Sequence, residues 1–152
     1  MDIIKNKKQI TEDILIEENN SNITETTNPI EKVRERNNFY TVTACVNKYL
    51  SYLYEKNIDV LYNYLDPIYI EQNNITKNNI LQKTGQLDVY KMFTAKEMHK
   101  QKLSDNITKY YAYGIVKEVL EDGDAEEEEF YITIKVDNKN ETFSVFPNTY
   151  IN

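Results

Sequence analysis

The sequence predicts an α+β fold in which N-terminal helices pack on a curved antiparallel sheet, and three observations carry that expectation. From Phe39 onward apolar residues recur at helical spacing, with Val42, Val46, Tyr49, Leu50 and Leu53 on one side and Thr43, Asn47, Ser51 and Glu55 on the other. Beyond Leu87 the period falls to two, as a half-buried strand requires. Turn chemistry separates the alternating runs, at Asp122-Gly123 and at Asp137-Asn138-Lys139-Asn140.

Taken in order, residues 1–38 read as a flexible arm and residues 39–152 as a single α+β domain. The arm contains a low-complexity stretch, EENNSNITETTN at 17–28, with too few apolar side chains to offset chain entropy. Ile10, Ile14 and Leu15 share a helical face, but such a helix is too short to hold without a partner surface. The first domain helix runs from Phe39 to about Asn57. A second covers residues 59–65 and is expected to stop at Asp66-Pro67. A third begins at the N-cap Thr76, with Ile75 and Ile80 placed as a hydrophobic staple, and ends before Gly85. Three helices therefore precede the sheet. Residues 89–93, 108–120, 130–136 and 141–146 alternate as strands, and Gly114 inside the second suggests a bend or bulge. Residues 94–103 fit either a helix opened by a Thr94/Glu97 capping box or a strand, and their place between two strands favours the strand.

With FYTVTACVNKYLSYLYEKNIDVLYNYL at 39–65 and YYAYGIV at 110–116, this order of elements resembles the nuclear transport factor 2-like superfamily, a cone-shaped α+β fold. The likeness is to domains of that kind in clostridia and their mobile elements, and it covers residues 39–152. It implies a sheet wrapped around the first helix and a cavity between them. In that superfamily some members are isomerases or dehydratases and many are non-catalytic assembly or binding domains. The chain offers no His and Asp pair at the strand positions of the enzymatic members, so the resemblance carries over a fold and no catalytic residue.

Composition narrows the classes further. A chain of 152 residues has room for one domain, able to bury roughly two thirds of the surface exposed by its unfolded form. A formal charge of −7 opposes a phosphate-tracking surface, which excludes nucleic acid as the expected partner. The single cysteine, Cys45, permits no internal disulfide. No run approaches the apolar length of a membrane span, and residues 1–10 lack the apolar core of a signal peptide, so the expectation is a cytoplasmic protein without membrane insertion, or an extracytoplasmic one if an N-terminal anchor has been removed. Heavy use of Asn, Lys, Ile and Tyr resembles the coding of low-GC Firmicutes.

The residues capable of chemistry are few. Cys45 sits on the apolar side of the first helix and reads as a packed thiol. His99, the sole histidine, stands among Lys96, Glu97, Lys100 and Lys102 and reads as a surface residue. The run EDGDAEEEE at 121–129 lacks the ligand spacing of a calcium loop and reads as a solvated hairpin tip, with a basic partner as the functional alternative. Tyrosine is the lopsided feature, 13 against no tryptophan, and a ring with a hydroxyl suits pockets and interfaces. Tyr49, Leu53, Tyr111 and Tyr113 are the candidate pocket-lining residues, with Tyr52, Tyr54 and Tyr110 nearby; a buried Asp59 or Asp66 facing them would suit proton transfer. No catalytic, cofactor-binding or metal-binding residue is assigned. The expected function is a non-catalytic protein-binding or assembly module of a bacterial or mobile-element system, its partner another protein or, since open sheets of this type dimerise face to face, a second copy. A small-molecule cavity enzyme and an acidic inhibitor or nucleic-acid mimic are the alternatives.

Overall fold

The computed structural model describes residues 29–119 and 125–151. The element order is β1 (Glu31–Lys32), α1 (Arg36–Glu55), α2 (Ile58–Tyr64), α3 (Pro67–Gln72), α4 (Ile80–Thr84), β2 (Lys91–Lys102), β3 (Ile107–Glu118), β4 (Glu127–Asp137) and β5 (Thr142–Pro147). Sequence neighbours are also sheet neighbours, so the five strands form an antiparallel meander β1-β2-β3-β4-β5 that does not close.

Helix α1 forms where the apolar stripe demands it. Val42, Val46, Tyr49, Leu50 and Leu53 are buried against the inner face of the sheet, where Phe93 and Met98 of β2, Ala112 and Val116 of β3, Ile132 and Ile134 of β4, and Val145 of β5 complete one core. The helix ends without a glycine. Lys56 takes the left-handed conformation (φ 56°), and the N–H groups of Lys56 and Asn57 donate to Leu53 O and Tyr52 O, which closes the last turn.

Four helices precede the long strands among the described residues, one more than expected. Asp66-Pro67 does end α2, but it also starts α3: Asp66 Oδ1 accepts the Ile68 N–H at 2.9 Å as an N-cap, and proline is favoured in the first turn because it lacks a hydrogen that would have no partner. Thr76 makes the expected cap one turn early. Its Oγ1 accepts from Asn79 N–H while Asn79 Oδ1 accepts from Thr76 N–H, and regular helix begins only at Ile80.

The boundary expected at 38/39 falls inside α1. Residues 31–38 supply β1, the buried Val33 and the first turn of the helix; Val33 N–H donates to Met98 O, tying this segment to β2. Sequence periodicity misses the segment because it offers a single buried apolar side chain. Residues 1–28 of the expected arm, with the helix suggested near Ile10, lie outside the described residues, as do the Asp122-Gly123 turn and residues 120–124.

The two short strands read at 89–93 and 94–103 are one, β2, interrupted by a register shift between Ala95 and Glu97. The bulge expected from Gly114 therefore lies on the partner strand. Gly114 pairs with Ala95, and a methyl group there would overlap Thr94 O and the Phe93 ring, so only glycine permits the approach. Glu127 to Glu129, expected in the hairpin tip, are paired residues of β4.

The helical layer meets the sheet edge at two points, on the part of β2 that β1 leaves unpaired and on β5. At β2, Phe93 N–H donates to Asn47 Oδ1 (2.7 Å) and Asn47 Nδ2 donates to Phe93 O (3.2 Å), so one carboxamide substitutes for a neighbouring strand. At β5, Leu65 bridges Val145 in parallel fashion and Asp66 N–H donates to Val145 O. Asn47→Ala is expected to cost about 2 kcal/mol in urea unfolding, with faster hydrogen exchange at the Phe93 amide as its local signature. Gly114→Ala should cost about 1–3 kcal/mol by overpacking, and full stability in that variant would contradict the close approach.

Candidate functional site

Strand alternation decides which candidate residues meet. On β3, Tyr110, Ala112, Gly114 and Val116 face α1, whereas Lys109, Tyr111, Tyr113 and Ile115 face the opposite, outer side of the sheet. The four candidate pocket residues are thereby split. Tyr49 and Leu53 are core residues of α1, and Tyr111 and Tyr113 lie across the sheet from them. Together they do not line a pocket. Tyr52 stacks on Tyr64 and Tyr64 on Phe143 at the helix side, Tyr54 packs against Tyr90, and Tyr110 donates its hydroxyl to Asn38 Oδ1.

The space between helices and sheet is occupied by side chains. Tyr49 sits at its centre with its hydroxyl buried beside Thr84, and burial raises its pKa; Thr84 donates its own hydroxyl to Ile80 O. Asp59 is exposed and paired with Lys77 at 3.0 Å. No tyrosine is hydrogen-bonded to Asp59 or Asp66 among the described residues, so the proton-transfer pair does not form. A shallow groove of about 470 Å³ lies on the outside of α1, lined by Arg36, Phe39, Tyr40, Thr43 and Ala44, and Arg36 is its one charged group. Among the described residues no three His, Cys, Asp or Glu side chains converge on a metal-sized site, and no helix is long and apolar enough to cross a membrane.

Chemistry-bearing residues gather instead on the outer face, in successive rows across the strands. One row holds Lys109 and Lys135, which are direct cross-strand partners, then Ser144 and, at the β5 edge, Asp66. Asp66 is fully buried. Its Oδ2 lies 2.9 Å from Lys135 Nζ and accepts the Ser144 hydroxyl at 2.7 Å. Both lysines lie over the Phe146 ring, with Nζ 4.8 Å (Lys109) and 6.0 Å (Lys135) from its centroid, and Lys109 also reaches the Tyr111 ring at 5.5 Å. Burial, then the charge of Lys135, lowers the Lys109 pKa, and Asp66 works against that shift.

The next row holds His99, Tyr111, Thr133 and Phe146, and the one beyond it Glu97, Tyr113 and Tyr131. The C-terminal segment folds back over these rows. Thr133 Oγ1 donates to Thr149 O at 2.9 Å, and the Tyr150 ring packs against Tyr131, His99 and Tyr113 at centroid distances of 5.3, 6.0 and 6.4 Å. His99, expected at the surface, is consequently only 17% exposed, bonded to Glu97 Oε2 at 3.0 Å, because the tail covers it. Tyr113 donates its hydroxyl to Glu129 and Tyr111 donates to Gln101.

The lysine row is not singled out by sequence reading. Its signal was present, since Lys109 and Lys135 each share parity with outward residues of their own strands. Pairing them, however, needs the β3–β4 register, which local periodicity on either strand does not give. Compared with protein-family models, with curated proteins and with solved structures, the chain gives no match in any of the three.

Cys45 packs against the core from the half-buried side of α1, and burial pushes its thiol up to about 11. At pH 8 roughly one thiol in a thousand is then ionised, so alkylation of the native chain should be far slower than of the unfolded chain. Because the folded value exceeds the ordinary 9.0, this group leaves stability intact below pH 9 and removes it as the pH rises past that point, which a urea series from pH 7 to 11 would measure. Asp66→Ala should cost about 3–5 kcal/mol, since it strands Lys135 and removes the α3 cap together.

Proposed function

We propose that this domain is a non-catalytic protein-binding or assembly module, and that its contact surface is the half of the outer sheet face toward the starts of β2 and β4, which the C-terminal segment touches only through Tyr150 at Tyr113 and Tyr131. One observation carries the reading. Three large apolar side chains on the strand faces or ends of that half are exposed, Val119 at 53%, Met92 at 45% and Tyr131 at 39%, with the partly exposed Tyr113 and Ile115 between them. Exposed apolar groups gathered on one face and rimmed by charge are the usual mark of a protein contact. The rim holds Glu126 to Glu129 at the start of β4; Lys117 and Lys91 balance Glu127 and Glu128, and Glu126 and Glu129, with no cation beside them among the described residues, favour a partner with basic groups.

The filled space between α1 and the sheet weighs against a cavity enzyme, because Tyr49, Phe93, Met98 and Ile132 occupy the volume that a substrate would need. We read the fold as nuclear transport factor 2-like and its setting as a bacterial or mobile-element assembly. Helices followed by a meander, with α1 laid across the sheet, support the first; the AT-rich coding pattern supports the second. A photo-crosslinking residue at Tyr131 tests the surface, with the exposed helix position Tyr40 as control. In native extract of the source cells a discrete adduct should form at Tyr131, weaken in Glu126→Lys, and reveal by mass either a partner or a second copy. Equal, diffuse labelling at both positions would count against the surface, and an adduct lost steeply with salt but insensitive to the apolar substitution Met92→Ser would favour charge mimicry instead.

A further inference from the structure

The opposite end of the outer face carries a charge arrangement that the protein-binding reading does not use. Lys109 and Lys135 are directly opposed across β3 and β4, and like charges in that relation are unfavourable unless something neutralises them. Asp66 neutralises one. Its carboxylate is saturated by the Ile68 N–H, the Ser144 hydroxyl and Lys135, and it is buried at the strand edge. The next carboxylate along the face, Asp137, is folded into its own turn by the Lys139 and Asn140 N–H groups and the Asn140 carboxamide. Among the described residues no carboxylate stands at ion-pair distance from Lys109, whose ammonium rests half-buried over the Phe146 and Tyr111 rings. Two ammonium groups against one carboxylate leave one positive charge unbalanced, in a chain whose net charge is −7.

We propose that the Lys109–Lys135 pair, backed by Phe146 and Tyr111, is a binding site for a single carboxylate group. The charge balance selects a monoanion. A dianionic phosphate would bring one charge too many beside the buried Asp66, whereas a carboxylate completes the set. Partial burial of Lys109 strengthens its attraction for an anion over that of a solvated lysine. Unlike the half toward the starts of β2 and β4, this site is small and chemically defined, and it stands whether or not a protein partner uses the same face.

The test is a titration of the full ¹⁵N-labelled chain with sodium benzoate, sodium acetate and sodium phosphate, each at constant ionic strength against chloride. Benzoate should give saturable shifts confined to residues 109–111, 133–135 and 144–146, and acetate the same pattern. Lys109→Met should weaken benzoate about tenfold or more, and Lys109→Arg should restore most of the binding. Since Lys109 is not paired with Asp66, Lys109→Met is expected to fold, and a native amide spectrum checks this before titration. N-acetylphenylalanine and N-acetylaspartate amide then separate a chain-terminal carboxylate from a side-chain one as the source, with tighter binding of either supporting the site. Shifts spread evenly over the lysines, phosphate binding more tightly than benzoate, or unchanged benzoate affinity in a folded Lys109→Met would each overturn the proposal.

Discussion

The contact between the apolar stripe of α1 and the inner face of the meander sets the terms for the rest of the molecule. Val42, Val46, Tyr49, Leu50 and Leu53 are almost completely buried, and they meet inward residues from each of the four long strands. Once that face is fixed, the twofold period of a strand leaves no freedom for the other. Every residue next to an inward one must point away from the helices, which is why Tyr110 belongs to the core and Tyr111 to a second, outer layer. The helical layer can cover only one side of an open sheet, so the outer side needs its own cover. The C-terminal residues supply part of it, through Thr149 and Tyr150.

The same contact explains how the edges are protected. An open sheet has unpaired N–H and C=O groups along its outer strands, and these invite association with other chains. Here β1 and Asn47 of α1 each cover part of the β2 edge, and the junction between α2 and α3 meets the β5 edge through Leu65 and Asp66. Asp66 thus serves three ends: it caps α3, joins the helical layer to β5, and neutralises a lysine on the outer face. A carboxylate can do all three because its two oxygens accept from different directions.

Much of this architecture can be read from residue patterns, and the parts that cannot share a cause. α1, the alternating β3 and the turn at residues 137–140 follow from local periodicity and local hydrogen bonding, which nearby residues dictate. The pairing of β1 with β2, the continuity of β2 across its bulge and the partial burial of His99 depend on contacts between residues far apart in the chain. Val33 N–H is held to Met98 O across the β1–β2 pairing, and His99 is partly covered by the Tyr150 ring. The candidate pocket of Tyr49, Leu53, Tyr111 and Tyr113 fails for a related reason: aromatic content marks residues suited to a site but is silent on which side of a strand they fall. Conversely, the row of Lys109, Lys135, Ser144 and Asp66 contains no motif, because its members come from four elements and become neighbours only through the strand register.

The meander order has a kinetic meaning. Each long strand pairs with the one that follows it, so the loops to be closed are short and the entropy lost at each step is small. The late part of the chain can therefore zip as successive hairpins, while β1 must wait for a partner some seventy residues downstream, as its pairing of Glu31 with Lys100 requires. Nascent chain leaving the ribosome would expose the apolar stripe of α1 well before its covering strands exist, and that interval is when this protein is most vulnerable to aggregation.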